Sequence, residues 1–193
     1  DLLRKAGIQI ISTERKYLAD TSEPNLKIIF ARAIDIPVYV HFGATDLGIT
    51  GYDLVSERMV EVYELLDLKF GRCELVVAAL IKSRIFNVED LPNGARVATE
   101  FPNLASAYFE KLGKRVEIIA VRGSTEITPA IGLAEAVVDL MSTGRTLEAN
   151  GLRAIGRVLA SSARLVCNKI SLRTKEASVS YLVDRLRCAV GDG

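Results

Sequence analysis

The chain has no tryptophan, a single histidine, three cysteines and five prolines in 193 residues. One histidine, His41, excludes a multi-histidine metal centre. Cys73, Cys167 and Cys188 lie far apart and are odd in number. No pair has metal-ligand spacing and no disulfide framework is implied. That usage fits a reducing compartment, and the thiols are expected as buried packing groups. Phenylalanine and tyrosine are sparse, six of each, which argues against stacked platforms for single-stranded nucleic acid. Charge of one sign is also lacking. Lys and Arg number 25 against 24 Asp and Glu, a net charge of +1. No global field draws polyanions, so a bulk nucleic-acid binder is excluded and any anionic ligand must be held by a local site. No apolar run approaches the roughly 20 residues of a membrane span. No signal peptide is visible, and a cytoplasmic location is expected.

What remains is the composition of a globular protein, 49% apolar. The length suits two small lobes sharing segments. Asp1–Gly7 reads as the end of a helix closed by a glycine, so a strand ahead of it is expected. Short β-rich runs then alternate with helical patterns. Strands are predicted over 26–31, 46–50, 74–81, 95–99, 116–121 and 136–141, with β-rich runs at 154–159 and 164–167. Helices are predicted over 35–42 (Asp35 as cap, Pro37 in its first turn), from 53, over 102–112, over 124–133, and from about 174 to 190. Val179, Leu182, Val183 and Leu186 make an apolar stripe on the last helix. Tyr39 and Leu47 are expected in the core. Repeated strand–helix–strand units imply an α/β fold with mostly parallel sheets. The breaks are predicted to give lobe I as 1–73 plus 152–193 and lobe II as 74–151. From residue 152 onward eight Lys/Arg oppose three Asp/Glu, read as a solvated face or, more sharply, as a surface for an anionic or protein partner.

The stretch richest in chemistry is Val137-Val-Asp-Leu-Met-Ser-Thr-Gly-Arg-Thr-Leu-Glu-Ala-Asn-Gly151. An apolar strand places Asp139 near its C-terminal end, and a hydroxyl-rich glycine turn leads into a short helix. Gly144 allows close approach of backbone to an anion, and free N–H groups at the helix start point at it. Ser142, Thr143 and Thr146 add hydroxyl donors, and Arg145 adds a cation. Asp139 repels phosphate but accepts hydrogen bonds from ribose hydroxyls. The segment thus complements a ribose 5-phosphate. A capped turn that binds nothing has the same composition, and the residues alone leave both readings open.

Asp139–Leu152 resembles the phosphoribosyl pyrophosphate (PRPP) loop of ATP phosphoribosyltransferases, the first enzymes of histidine biosynthesis. Arg32–Val40, Asp46–Asp53, Ala98–Leu104 and Gly123–Glu126 resemble further segments of that family, in order. Together they cover most of residues 7–168. Phe101 stands where the family usually has tyrosine. The family's N-terminal Lys-Gly-Arg segment has no counterpart here; neither has the regulatory domain of its long form, so the chain looks like the short form, with a truncated long form as the alternative.

The resemblance implies a two-lobed, periplasmic-binding-protein-like (type II) fold around a cleft. It implies a reaction in which N1 of the ATP adenine attacks carbon 1 of PRPP and pyrophosphate leaves. Mg²⁺ is expected with the substrate phosphates, and no protein nucleophile or metal ligand set is called for. PRPP falls to Asp139, Ser142, Thr143, Gly144, Arg145 and Thr146. Arg32, Gly51, Asp53, Glu100, Phe101 and Glu126 are candidates for the nucleotide, with plain helix caps and ion pairs (Arg32 with Asp35 or Asp53) as the structural alternatives. His41 is expected to pack rather than act as a base. A homo-oligomer and a regulatory subunit resembling histidyl-tRNA synthetase are the implied partners. Two rival readings remain: a small-anion solute-binding protein of the same architecture, and a phosphoribosyltransferase acting on a free base.

Overall fold

The computed structural model describes residues 1–11 and 17–191. The chain divides into two compact units, Asp1–Phe70 with Ser162–Gly193, and Gly71–Ser161. Both crossings differ from the expected 73/74 and 151/152. The second falls ten residues later, because Leu152–Ser161 pairs along the whole of Cys73–Leu80 and so stays with the sheet it completes.

The first unit opens with α1 (Leu2–Lys5). The Gly7 N–H donates to the Arg4 carbonyl and the Ile8 N–H to the Leu3 carbonyl, and Gly7 takes φ +73°. This is the glycine-closed end read from the sequence. Strands β1 (Ile10–Ile11), β2 (Leu18–Thr21) and β3 (Lys27–Ile29) form an antiparallel sheet. Helix α2 (Ile36–His41) has Pro37 in its first turn. Its predicted cap, Asp35, makes no capping bond, because the carboxylate binds Arg58 at 3.0 Å instead. Strand β4 (Leu47–Gly51), helix α3 (Tyr52–Arg58) and strand β5 (Tyr63–Asp67) follow.

The second unit begins with β6 (Cys73–Leu80), whose residues Leu75 to Ala79 are all buried, the mark of a strand covered on both faces. Then come β7 (Ala95–Thr99), α4 (Pro102–Lys111), β8 (Val116–Ala120), β9 (Ala136–Met141), α5 (Arg145–Ala149) and β10 (Leu152–Ser161). The predicted helix over 124–133 is a short 3₁₀ turn, Thr125–Ile127, followed by further turns. Pro129 lacks an N–H and Gly132 takes φ +74°, so a regular helix cannot propagate there. The five strands lie in the order β10-β6-β9-β7-β8. Parallel pairing is confined to β9-β7-β8, where helical crossovers intervene, and β6 joins β9 and β10 antiparallel. Val76, Ala78, Ala98, Val137, Leu147 and Leu152 share one core on this sheet.

Returning to the first unit, β11 (Ala163–Cys167) inserts antiparallel between β4 and β5. Helices α6 (Lys169–Thr174) and α7 (Glu176–Val190) close the chain. Val179, Val183 and Leu186 of α7 pack with Ile8, Leu165 and Cys167, Leu182 joins at the margin, and Leu47 packs against the same cluster. Tyr39, expected inside, is instead exposed. Of the thiols only Cys167 is buried; Cys73 is partly covered and Cys188 exposed. The basic excess after residue 152 is largely paired rather than simply solvated: Arg157 with Glu74, Arg164 with Glu64 and Asp67, Lys169 with Glu61, Lys175 with Asp46 and Arg185 with Glu23. His41 packs edge-on against Phe42, and its Nδ1 lies 3.0 Å from the Glu61 carbonyl.

Candidate functional site

In the second unit β7, β8 and β9 run parallel and end at one edge. Ligands of open α/β sheets bind beyond such carboxyl ends. Beyond β9 the chain turns through Ser142, Thr143 and Gly144 into α5. Gly144 caps that helix with φ +79°, a left-handed conformation that side-chain-bearing residues adopt only at a cost. The first partnered N–H after the turn is that of Glu148, which donates to the Gly144 carbonyl at 3.0 Å. The N–H groups of Thr143 to Leu147 donate to no carbonyl or side chain among the described residues. Ser142, Thr143, Arg145 and Thr146 are exposed, and Leu147, 3% exposed, anchors the short helix in the core. The turn is therefore held from beneath and presents its donors outward.

Asp139 stands three residues before this turn. Its Oδ1 accepts the Leu140 N–H at 2.7 Å. Burial pushes its carboxyl above the usual carboxylate range, the Leu140 hydrogen bond opposes this, and the negative charges of Glu126 and Glu100 push it further up. Glu100 after β7 and Glu126 in the turn after β8 thus both act by their charge on Asp139 of β9. Glu100 accepts a hydrogen bond from the Gly123 N–H, which ties the segments after β7 and β8 together. Phe101 is buried at the start of α4, with Pro102 in the first turn, and its N–H donates to the Thr99 hydroxyl at 2.9 Å. Its ring faces the interior, so the hydroxyl that tyrosine would carry has no counterpart here.

Arg32, Gly51 and Asp53 belong to the first unit. Arg32 is exposed ahead of α2 and makes no side-chain hydrogen bond or ion pair among the described residues; Arg58 takes the pairing with Asp35. Gly51 leads from β4 into α3, and a Cβ there would stand 2.3 Å from Asp53 Oδ1. Glycine at 51 is what lets the Asp53 carboxylate, 4% exposed, fold over the backbone. The fold therefore gathers Glu100, Phe101, Glu126, Asp139 and the 142–146 turn at one sheet edge. Thr99, which the sequence pattern marks only as a strand residue, lies at the centre of that edge; the cue was its place as the last strand residue ahead of a Glu-Phe-Pro turn.

A profile of the ATP phosphoribosyltransferases matches residues 32–188. This chain belongs to the ATP phosphoribosyltransferase family. A family relative from Methanocaldococcus jannaschii is 51% identical over 177 residues, covering 91% of this chain and 62% of its own length. One from Geobacillus sp. (strain WCH70) is 43% identical over 96% of this chain and 89% of its own. The chain spans about three-fifths of the archaeal relatives it matches. Among solved structures, the ATP phosphoribosyl transferase (HisG:HisZ) complex from Thermotoga maritima superposes with a TM-score of 0.86 at 29% identity, over 98% of this chain and 90% of that one. The periplasmic aliphatic sulphonate binding protein SsuA from Escherichia coli superposes at 0.59 with 14% identity, a likeness of fold alone. The α/β, periplasmic-binding-protein-like fold expected from the sequence is thus the fold of the family. Among the described residues no helix is long and apolar enough to cross a membrane.

Proposed function

We propose that the chain catalyses the family's reaction, joining ATP to PRPP as the first step of histidine biosynthesis. The new bond runs from adenine N1 to carbon 1 of the ribose. The bond from carbon 1 to the pyrophosphate oxygen breaks, and its electron pair leaves with pyrophosphate. The observation that carries the reading is the outward-facing 142–147 turn, with its row of unpartnered N–H groups three residues beyond Asp139.

The 5-phosphate of PRPP sits on the amides of Thr143 to Leu147, with hydroxyls from Ser142, Thr143 and Thr146 and the guanidinium of Arg145 completing the shell. Asp139, in its ionised form, accepts from the ribose hydroxyls. As pyrophosphate departs, the ribose ring gains oxocarbenium character. The potential of Asp139, Glu126 and Glu100 suits that positive charge, while the phosphate is gripped separately by the turn. Holding both substrates in line supplies the rest of the rate. Within the second unit, Glu100 and Glu126 are the groups left to the nucleotide.

Among the described residues no three His, Cys, Asp or Glu side chains could hold a metal ion. A Mg²⁺ carried on the substrate phosphates would have Glu100, Glu126 and Asp139 as the neighbouring carboxylates. When bound, Mg²⁺ supplies charge neutralisation for the departing pyrophosphate. By likeness to the Thermotoga complex, the partner is a regulatory subunit resembling histidyl-tRNA synthetase, joined to a homo-oligomer of this chain in the cytoplasm.

A spectrophotometric assay of phosphoribosyl-ATP formation, with pyrophosphatase to draw the equilibrium forward, tests the reading. Turnover by the wild type and its loss in Gly144→Trp support it. Turnover that survives both Gly144→Trp and Asp139→Ala removes the assignment of the turn.

A further inference from the structure

Thr99 is wholly buried at the last position of β7, and its polar atoms bind three separate chain segments. Its hydroxyl donates to the Val138 carbonyl on β9 at 2.7 Å. The same hydroxyl accepts the Phe101 N–H at 2.9 Å, fixing the turn into α4. Its carbonyl accepts the Val121 N–H at 3.0 Å, just beyond β8. The segments that lead to Glu100, Glu126 and Asp139 are therefore all bonded to one residue.

Position 99 is also where the parallel ladder stops. Thr99 is the last β7 residue registered with β9, opposite Val138, and with β8, opposite Ala120. Past this point the main chains diverge to form the site. The hydroxyl takes over where backbone pairing ends, and the carbonyl it holds belongs to the peptide leading into Asp139.

We propose that Thr99 is a positioning residue for the sugar-phosphate site. Its hydroxyl sets Asp139 and the 142–147 turn against Glu100 and Phe101, without touching substrate itself. The inference rests on the proposed placement of PRPP and names what holds that placement in register. A buried threonine could equally serve packing alone, and the choice of substitutions separates the two roles. Thr99→Val keeps shape and apolar volume and removes both hydroxyl bonds. Thr99→Ser keeps both bonds and removes a methyl group.

The test is calorimetric titration of the whole chain with PRPP and, separately, with ATP. In parallel, hydrogen exchange is followed at the hydrogen-bonded amides of Phe101 and Leu140. The positioning role predicts that Thr99→Val weakens PRPP binding by about 10- to 100-fold, the loss typical of a misplaced site. Its Phe101 amide should exchange faster, and Thr99→Ser should stay within about threefold of wild type on the same scale. Should Thr99→Val fail to fold, Thr99→Cys, with only a weak donor, carries the same expectation. The proposal is overturned if the variant lacking the hydroxyl binds PRPP as wild type does, or if Thr99→Ser loses as much affinity as Thr99→Val. A wild-type chain that binds no PRPP would instead sink the site assignment. The exchange arm then still decides for Thr99: faster exchange at Leu140 as well as Phe101 in Thr99→Val supports it, and unchanged exchange at Leu140 refutes it.

Discussion

At Asp139 two requirements pull in opposite directions. Burial, with Glu126 and Glu100 adding to it, makes the folded chain hold the carboxyl proton more tightly than the unfolded chain does. A raised folded value means that the group's contribution to stability is fullest below the ordinary carboxylate range. It declines as pH rises through the folded value. Ribose hydroxyls, however, need the ionised acceptor. Thermal melts across pH should therefore show Asp139→Asn more stable than wild type at neutral pH, with the two curves converging in acid. PRPP affinity of the wild type should rise over the same pH interval in which its stability falls. Gly144 poses a simpler choice. Its φ of +79° makes Gly144→Ala cost about 1–2 kcal/mol of stability on conformational grounds. Nothing else blocks the substitution, since the nearest atom to an added Cβ, Met141 Sδ, is 3.8 Å away. Chemical denaturation should show that loss, and PRPP affinity should drop because the amides after it turn away. The 142–146 turn was legible as a turn from its glycine and hydroxyls after an apolar strand, but composition left its ligand open, and only the family resemblance pointed to a sugar phosphate. The electrostatic meeting of Glu100 and Glu126 with Asp139 was not legible. It follows from β7 lying between β9 and β8, and strand order leaves no mark in local composition.

Elements were legible where their signals are local. Strand β7 falls on its predicted residues, and α4 starts at its Pro102. Strand β5 escaped, since Tyr63-Glu-Leu-Leu-Asp67 is short and its apolar pair reads equally as the tail of the preceding helical pattern. The helix expected over 124–133 dissolved into turns because Pro129 interrupts it. The join of β11 to α6 depends on Asn168. Its Oδ1 accepts the N–H groups of Ile170 at 2.9 Å and Ser171 at 3.0 Å. Its Nδ2 donates to the carbonyls of Val40 at 2.8 Å and His41 at 3.0 Å. One buried side chain thus caps α6 and satisfies the end of α2. Asn168→Ala should cost about 2–3 kcal/mol, the sum of a lost cap and stranded carbonyls. Beside it Asp46 binds Lys175 and Ser171. Burial alone would raise its carboxyl, but these bonds outweigh that and hold it below its ordinary value. Denaturant unfolding followed by circular dichroism measures the Asn168 effect, and a loss under about 0.5 kcal/mol, the scale of an ordinary surface substitution, would contradict the role given to it.

At the scale of the whole molecule, the sequence conveyed that the chain makes two units and that its C-terminal helix returns to the first. It misplaced the second crossing because Leu152–Ser161 is a single long strand with bulges, and its pairing with β6 is set by contacts far away in the chain, from Leu152 with Leu80 to Ser161 with Cys73. It also overstated parallel pairing, which local alternation of strand and helix cannot distinguish from a strand added antiparallel. Family membership joins the two scales, since the matched residues 32–188 run through both units. The most direct test is an amide-resolved nuclear magnetic resonance titration of the isotopically labelled chain with PRPP. Saturable shifts concentrated at Thr143, Gly144, Arg145, Thr146 and Leu147, abolished in Gly144→Trp, are the predicted result. PRPP binding that leaves those five amides unmoved would contradict the account.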